Sequence, residues 1–582
     1  MTPSTRVNIQ DTVKRIGEKE TIREIFEVSE LTSKLVKDSF GPAGLWNIAV
    51  DKTGFIHWAK SGSTILNRIE PKRSKLDEPR QIEKDASKGK MIHPITRIMA
   101  GMAENIVQTV GDGSKTSIIL TNEILRKKIE SQIHSAIFID GCINVMEKCL
   151  ELIREISIPF SPSRPNTLNR IIRSFFDTRF EPLESRLLTD VVSRAVHSKI
   201  RKRTGGEYHL DSDSISIKRE IGGGLLSTCL IDGVALFKEI PSSNMPKKVE
   251  NVKVAITSGG LSSGFGSKDM KVRTRYYDHK MIFRKPDDIE TFREEKTKVS
   301  KDIVDKLCSL KVGALLIEKG LDPEIEGILA DMRIIAVRRI YIKDLEKIAR
   351  ATGANIVSDV RLLQPEDLGF AKLVKEKKIG DHPWILIKGR RSDEILTILI
   401  RGFVNAMIDE AENTIRNSLN VVEKFIHDPR ILLGGGATEV EVANRLRRYA
   451  EGISRREQIV IKDLGEALET VPMILASSCG LDPIDSIVKL RTLHNVGRVF
   501  AGIDVFKRRI ANMLTAGIYL PLPIYEQVIK SAFETSIHLL RINDFIASIK
   551  TYQGSEYWEK RVEEFTEPER EKQMIKEYGV DR

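Results

Sequence analysis

Val110-Gly111-Asp112-Gly113-Ser114-Lys115-Thr116-Ser117, followed by the apolar Ile118-Ile119-Leu120, is the stretch around which the chain is organised. Two glycines let the backbone turn tightly, an aspartate sits between them, and hydroxyls and a lysine follow. A helix is predicted to start near Ser114, so its unpaired N–H groups point at whatever the glycines surround. Free donors and the positive end of the helix dipole make an anion site. Asp112 is then placed to hold a Mg²⁺ that accompanies a nucleotide phosphate. The loop is not a Walker sequence, because Lys115 follows serine, not glycine, and no glycine sits at the required upstream spacing. Taken alone, the stretch also reads as a plain helix entry whose glycines serve turn geometry.

At 582 residues the chain has room for several domains. Hydrophobic residues at 41% with 30% charged describe a soluble folded protein rather than a disordered one. Apolar runs such as residues 395–400 are far too short to span a bilayer. Met1-Thr2-Pro3-Ser4-Thr5-Arg6 lacks an apolar h-region, so no secretory signal is expected. Cys142, Cys149, Cys229, Cys308 and Cys479 are scattered without a CxxC pair. Cys142 and Cys149 share a helix face two turns apart, which reads as core packing, and a reducing cytoplasm fits. The formal charge of +11 favours polyanions. No nucleic-acid motif accompanies it, so a solvated basic surface is the simpler reading.

Residues 11–40 read as an amphipathic helix with Ile22, Ile25, Phe26, Val28, Leu31, Leu35 and Val36 on its apolar face. Gly41-Pro42 ends it, and two short strands follow around a turn at 51–54. Helices are predicted at 93–110, 114–132 and 134–156, and prolines 159, 162 and 165 mark a change of domain. A helical piece runs to about Ile200. Strands at 215–217, 234–236, 252–256, 314–317 and 334–337 then alternate with helices at 288–311, 323–331 and 343–352, an α/β rhythm. A helical half begins near Gly402.

Residues 111–116 resemble the Gly-Asp-Gly-Thr-Thr-Thr phosphate loop of chaperonins, and Ser39-Phe40-Gly41-Pro42-Ala43-Gly44 resembles their Leu-Gly-Pro-Lys-Gly turn. Leu433-Gly434-Gly435-Gly436-Ala437-Thr438-Glu439, Gly480-Leu481-Asp482-Pro483, Ala501-Gly502-Ile503-Asp504 and Leu540-Arg541-Ile542-Asn543-Asp544 continue the series in order. Met245-Pro246-Lys247-Lys248 and Ala336-Val337-Arg338-Arg339 look like the group II branch, the archaeal thermosome and the eukaryotic cytosolic chaperonin. The resemblance implies a multidomain α and α/β chaperonin fold. A mainly helical equatorial domain comes from 1–159 and 404–550, and a small α/β intermediate domain from 160–222 and 376–403. An α/β apical domain comes from 223–375, with a lid protrusion at about 261–290, and a charged extension follows at 551–582. It also implies ATP or ADP with Mg²⁺, other chaperonin subunits in a homo- or hetero-oligomeric double ring, and unfolded protein clients in the cytoplasm, with no membrane. The family is usually acidic, which makes the +11 a departure.

For the site, the resemblance implies nucleotide contacts from Gly41, Pro42, Gly111, Asp112, Gly113, Ser114, Lys115, Thr116, Gly435 and Ser478, with Asp112 as the metal ligand. Arg179 stands where the family has a lysine that reports the γ-phosphate, and the swap keeps the charge. The water-activating aspartate belongs seventeen residues before Gly434, and Asn417 is there. Asp409, eight residues earlier on a helix, lies roughly 12 Å away along the axis and is not expected to substitute. A second catalytic carboxylate becomes Ser61, a loop threonine becomes Lys115, and the acidic residue that receives the ribose becomes Leu520. Together these changes make the pocket about four charges more positive than the family pattern, which favours a bound polyphosphate. An amide cannot accept a proton from water, and losing a positioned base typically costs about 10²–10⁴-fold in rate. The expectation is a subunit that holds ATP or ADP and hydrolyses it slowly or not at all.

Residues 71–91 form an insertion with seven Lys/Arg against four Asp/Glu and two prolines, read as a surface loop. Residues 261–286 mix basic residues with Tyr276, Tyr277 and Phe283, read as a client-binding tip. Three other readings stay open: an ordinary ATP-driven chaperonin, a nucleotide-independent structural or filament-forming protein, and an RNA- or polyanion-binding derivative using these two basic segments.

Overall fold

The computed structural model describes residues 13–14, 18–50, 56–69, 94–162, 165–202, 208–261, 286–390, 395–453, 456–543 and 547–548. The insertion at 71–91, the extension from 551 and most of the 261–290 protrusion lie outside the described residues.

Both halves of the chain build one helical layer. Glu18–Lys37, Pro94–Val110, Ser114–Ser131 and Ser135–Ile156 pack with Asn405–His427, Ala437–Glu451, Glu457–Ser478 and Leu522–Leu540. Ile118, Ile119, Leu120, Phe425, Val460 and Phe533 share their apolar core. Val13 and Lys14 pair with Ser548 and Ala547, tying the two chain ends together. Ser114–Ser131 is the central helix: residues 117–125 are buried on every side. A helix enclosed all round must still satisfy its polar groups. Asn122 accepts from Ser29 Oγ at 3.1 Å, and Glu123 pairs with Lys37 at 3.2 Å.

The first helix departs from expectation in both length and face. It spans Glu18–Lys37, and Leu31 and Leu35 are 63% and 44% exposed. Thr21, Ser29, Thr32 and Ser33 are buried in their place, beside Ile25 and Val36. Small hydroxyl side chains allow close approach to the central helix, and Ser29 and Thr32 find hydrogen-bond partners there or on their own turn. Apolar periodicity alone pointed to the wrong edge of the stripe.

A seven-stranded mixed sheet has its own core. Its order is Ile335–Val337, Val312–Ile317, Lys248–Thr257, Gly369–Ile379, His382–Gly389 and Val234–Leu236, with Ile356–Val357 joining Lys248–Thr257. Lys248–Thr257 runs parallel to Val312–Ile317 and antiparallel to Gly369–Ile379. Pro323–Asp331 and Ile342–Thr352 pack on it, and Ile256, Leu315, Ile325, Ile348 and Ile385 fill the space between. The hairpin Gly369–Ile379/His382–Gly389 was not anticipated. Its first strand carries Lys372, Lys375, Lys377 and Lys378, which hides the apolar alternation, although Gly380-Asp381 is a turn signal.

Between these two bodies lies a three-stranded sheet. Leu396–Gly402 runs parallel to Ile215–Ile221 and antiparallel to Cys229–Asp232. The apolar run at 395–400 is its central strand, buried on both faces. Helices Pro165–Asp177 and Pro182–Lys199 complete this region. Glu220 joins it to the large sheet: its carboxylate accepts from Trp384 Nε1 at 3.2 Å and contacts His382 Nδ1 at 2.7 Å.

Candidate functional site

Gly111 and Gly113 take φ of +84° and +99°, the left-handed region that L side chains rarely adopt. The helix Ser114–Ser131 starts where the sequence places it, with Gly113 as its N-cap. A Cβ at Gly111 would lie 2.5 Å from the Asn417 carbonyl oxygen, so the loop is seated directly on the helix Asn405–His427. The loop opens into a cavity of about 740 Å³. Gly41, Pro42, Ser61, Asp112, Gly113, Ser114, Lys115, Thr116, Arg179 and Gly435 all line it. Val471, Leu475, Ile503, Leu520 and Ile524 add apolar wall. Gly111, Asn417 and Ser478 are not among the lining residues. Asn417 is half-buried behind the loop, and the Ser478 hydroxyl donates to the Leu475 carbonyl at 2.9 Å on its own helix.

The charge around the loop is strongly positive. Lys60, Lys115, Arg170, Arg173, Arg179, Arg186 and Lys507 line the cavity against Asp112, Asp177, Glu439 and Asp504. Arg179 Nη2 donates to Asp112 Oδ1 at 2.8 Å, so the phosphate sensor and the metal ligand of the sequence reading are paired with each other. Arg179 Nη1 donates to the Phe175 carbonyl at 3.0 Å and the Thr178 hydroxyl at 2.9 Å, and the guanidinium lies 3.8 Å from the Phe175 ring centroid. Lys115 Nζ donates to the Ser39 carbonyl. Burial, then the charges of Arg179 and Lys60, lower its pKa to about 7, with Asp112 and Glu410 opposing. Lys60 is lowered too, first by burial, against the attraction of Glu181.

Two carboxylates escaped the sequence reading. Asp409, the neighbour weighed there, is turned away and paired with Arg219 at 2.5 Å. Glu410, one residue on, is buried and close enough for Arg179 and Lys115 to act on its charge, and it accepts from the Lys60 backbone. Burial nevertheless raises its pKa. The signal was available: seven residues on a helix is about 700°, which sets Glu410 within roughly 20° of the Asn417 face. Glu439, at the start of Ala437–Glu451, is buried beside the Tyr525 hydroxyl, and burial pushes its carboxyl up to about 7.

A model of the TCP-1/cpn60 chaperonin family matches residues 86–550. The chain belongs to this family. The chaperonin chain is 32% identical over 545 residues to thermosome subunit alpha of Aeropyrum pernix, covering 92% of this chain and 93% of that one. It is 33% identical over 523 residues to a thermosome subunit of Methanopyrus kandleri, covering 89% and 90%. Among solved structures, the open-state monomer of a group II chaperonin from Methanococcoides burtonii matches with a TM-score of 0.53 and 30% identity, covering 74% of this chain and all of that chain. The fold is the chaperonin fold, and the chain is a group II chaperonin subunit. No helix among the described residues is long and apolar enough to cross a membrane.

Proposed function

We propose that this chaperonin subunit takes its place in a double ring that encloses unfolded proteins, and that its pocket binds ATP or ADP with little or no hydrolysis of its own. In this reading the helical layer is the equatorial domain, the three-stranded sheet with its helices the intermediate domain, and the seven-stranded sheet the apical domain. The carrying observation is the combination at the cavity. The left-handed glycine loop at a helix start is kept, Ser61 lines the cavity where the family pattern has a carboxylate, the amide of Asn417 lies behind the loop, and Asp409 faces Arg219. Among the described residues, the cavity then supplies donors and charge for phosphate but no exposed carboxylate beside the loop that is free to activate water. Ring partners with intact carboxylates would drive the cycle, and this subunit would respond through them.

The test is nucleotide binding and turnover measured on one purified sample with particle size recorded. Binding with near-zero turnover supports the reading. Asn417→Asp should raise turnover by about tenfold or more yet fall short of the full 10²–10⁴ expected of a positioned base, because Ser61 remains. Robust hydrolysis by the unmutated subunit would refute it. Glu410 favours that second reading, an active ATPase: it is a buried carboxylate on the Asn417 face. Loss of such turnover in Glu410→Gln would establish it.

A further inference from the structure

We infer that the cavity accepts a nucleotide polyphosphate without a divalent cation, with Arg179 standing on Asp112 where a metal ion would sit and Lys115 and Lys60 supplying further positive charge. This rests on the reading that the pocket takes a nucleotide at all.

The donor set carries it. Mg²⁺ needs hard oxygen ligands in a near-octahedral shell, usually one or two carboxylates beside the phosphates. Of the four carboxylates lining the cavity, three are already committed. Asp112 accepts from Arg179 at 2.8 Å. Asp177 accepts from Ser185 at 2.5 Å and pairs with Arg173 at 3.4 Å. Asp504 accepts from the Lys507 N–H at 3.1 Å, with that residue's ammonium 3.6 Å away. The fourth, Glu439, is buried, where desolvation favours its neutral form. Among the described residues, no group of three or more His, Cys, Asp or Glu is placed to hold a metal ion. The present residues therefore do not fit a divalent cation well.

They fit an anion. Arg179 is fixed by two hydrogen bonds through Nη1 and by stacking on Phe175, so its planar fork is oriented before a ligand arrives. A guanidinium with five donors can hold a carboxylate on one edge and a phosphate on another. A divalent ion added here would face Arg179, Lys115 and Lys60 at close range, a repulsion that polyphosphate turns into attraction. Burial lowers the pKa of Lys115 first, and the charges of Arg179 and Lys60 add to that lowering against Asp112 and Glu410.

The full-length chain, with ATP as the probe, decides the matter by calorimetry in Mg²⁺ and in EDTA at matched ionic strength. The expected result is an affinity in EDTA within about threefold of that in Mg²⁺, or better. Arg179→Ala should weaken binding in EDTA by about tenfold or more, with part of the loss recovered by Mg²⁺ once Asp112 is released. Binding by the unmutated chain in Mg²⁺ that is lost in EDTA overturns this inference and leaves the nucleotide reading standing. No binding in either buffer overturns both.

Discussion

A lysine whose pKa is lowered to about 7, first by burial and then by Arg179 and Lys60, changes charge in the neutral range. Phosphate beside Lys115 stabilises the ammonium and raises that value, against the background set by Arg179, Lys60, Asp112 and Glu410. Binding then takes up a proton above pH 7. Nucleotide affinity should be flat below pH 7 and fall by up to about tenfold per pH unit above it. Calorimetry in buffers of different ionisation enthalpy would read the proton directly, and Lys115→Arg should flatten the profile. Glu439 shows the opposite chemistry. Its carboxyl sits at about 7 in the fold against an ordinary 4.5, chiefly because of burial. A raised folded pKa gives stability that is complete below pH 4.5 and lost as pH rises to 7, roughly 3 kcal/mol in all. Glu439→Gln should therefore raise Tm at pH 8 by more than at pH 5. An equal shift at both would show that the buried carboxyl ionises without cost.

The glycine loop is clamped between two helices contributed by the far half of the chain. A Cβ at Gly111 meets the Asn417 carbonyl oxygen at 2.5 Å, and one at Gly113 meets Val528 Cγ2 at 2.3 Å. Gly111→Ala adds left-handed strain to a collision with backbone, which cannot rotate aside. The expected loss is about 3 kcal/mol or more, with nucleotide binding abolished. A variant that melts like the unmutated chain would show that the loop moves freely. At this scale the sequence was legible where side-chain chemistry and spacing were local. The helix Ser114–Ser131, the strands Val312–Ile317 and Val234–Leu236 and the helix Pro323–Asp331 fall where the pattern puts them. The lysine-rich hairpin and the hydroxyl-lined face of Glu18–Lys37 did not show, because solvent on one side and close helix packing on the other override apolar periodicity.

Across the whole molecule, the large sheet is joined to the three-stranded sheet through several polar contacts among the described residues, including Lys388 with Asp232 and the Ala235 N–H with the Thr397 hydroxyl. Glu220 takes Trp384 and His382, and Lys218 reaches both carboxylate oxygens of Asp344 at 2.8 and 2.9 Å. Glu220 and Trp384 are buried, so removing the acceptor strands a buried indole N–H. Glu220→Ala should cost about 1–3 kcal/mol and speed hydrogen exchange in Ile215–Ile221 and His382–Gly389 before it affects the helical layer. Uniform exchange across the chain would mean that the joint does not act as a local unit.

By itself the sequence determined the turns and the chemistry available at each position. Positive φ calls for glycine, a helix start offers N–H groups, and Asn417 and Ser61 cannot act as carboxylates, all of which depend on residues close in the chain. Tertiary structure decided which groups meet. Asp112 is paired with Arg179 across 67 residues, Asp409 turns to Arg219, and Glu410 lies within reach of Lys115. Charges choose partners by distance and burial, and those are set only when separated helices and sheets pack.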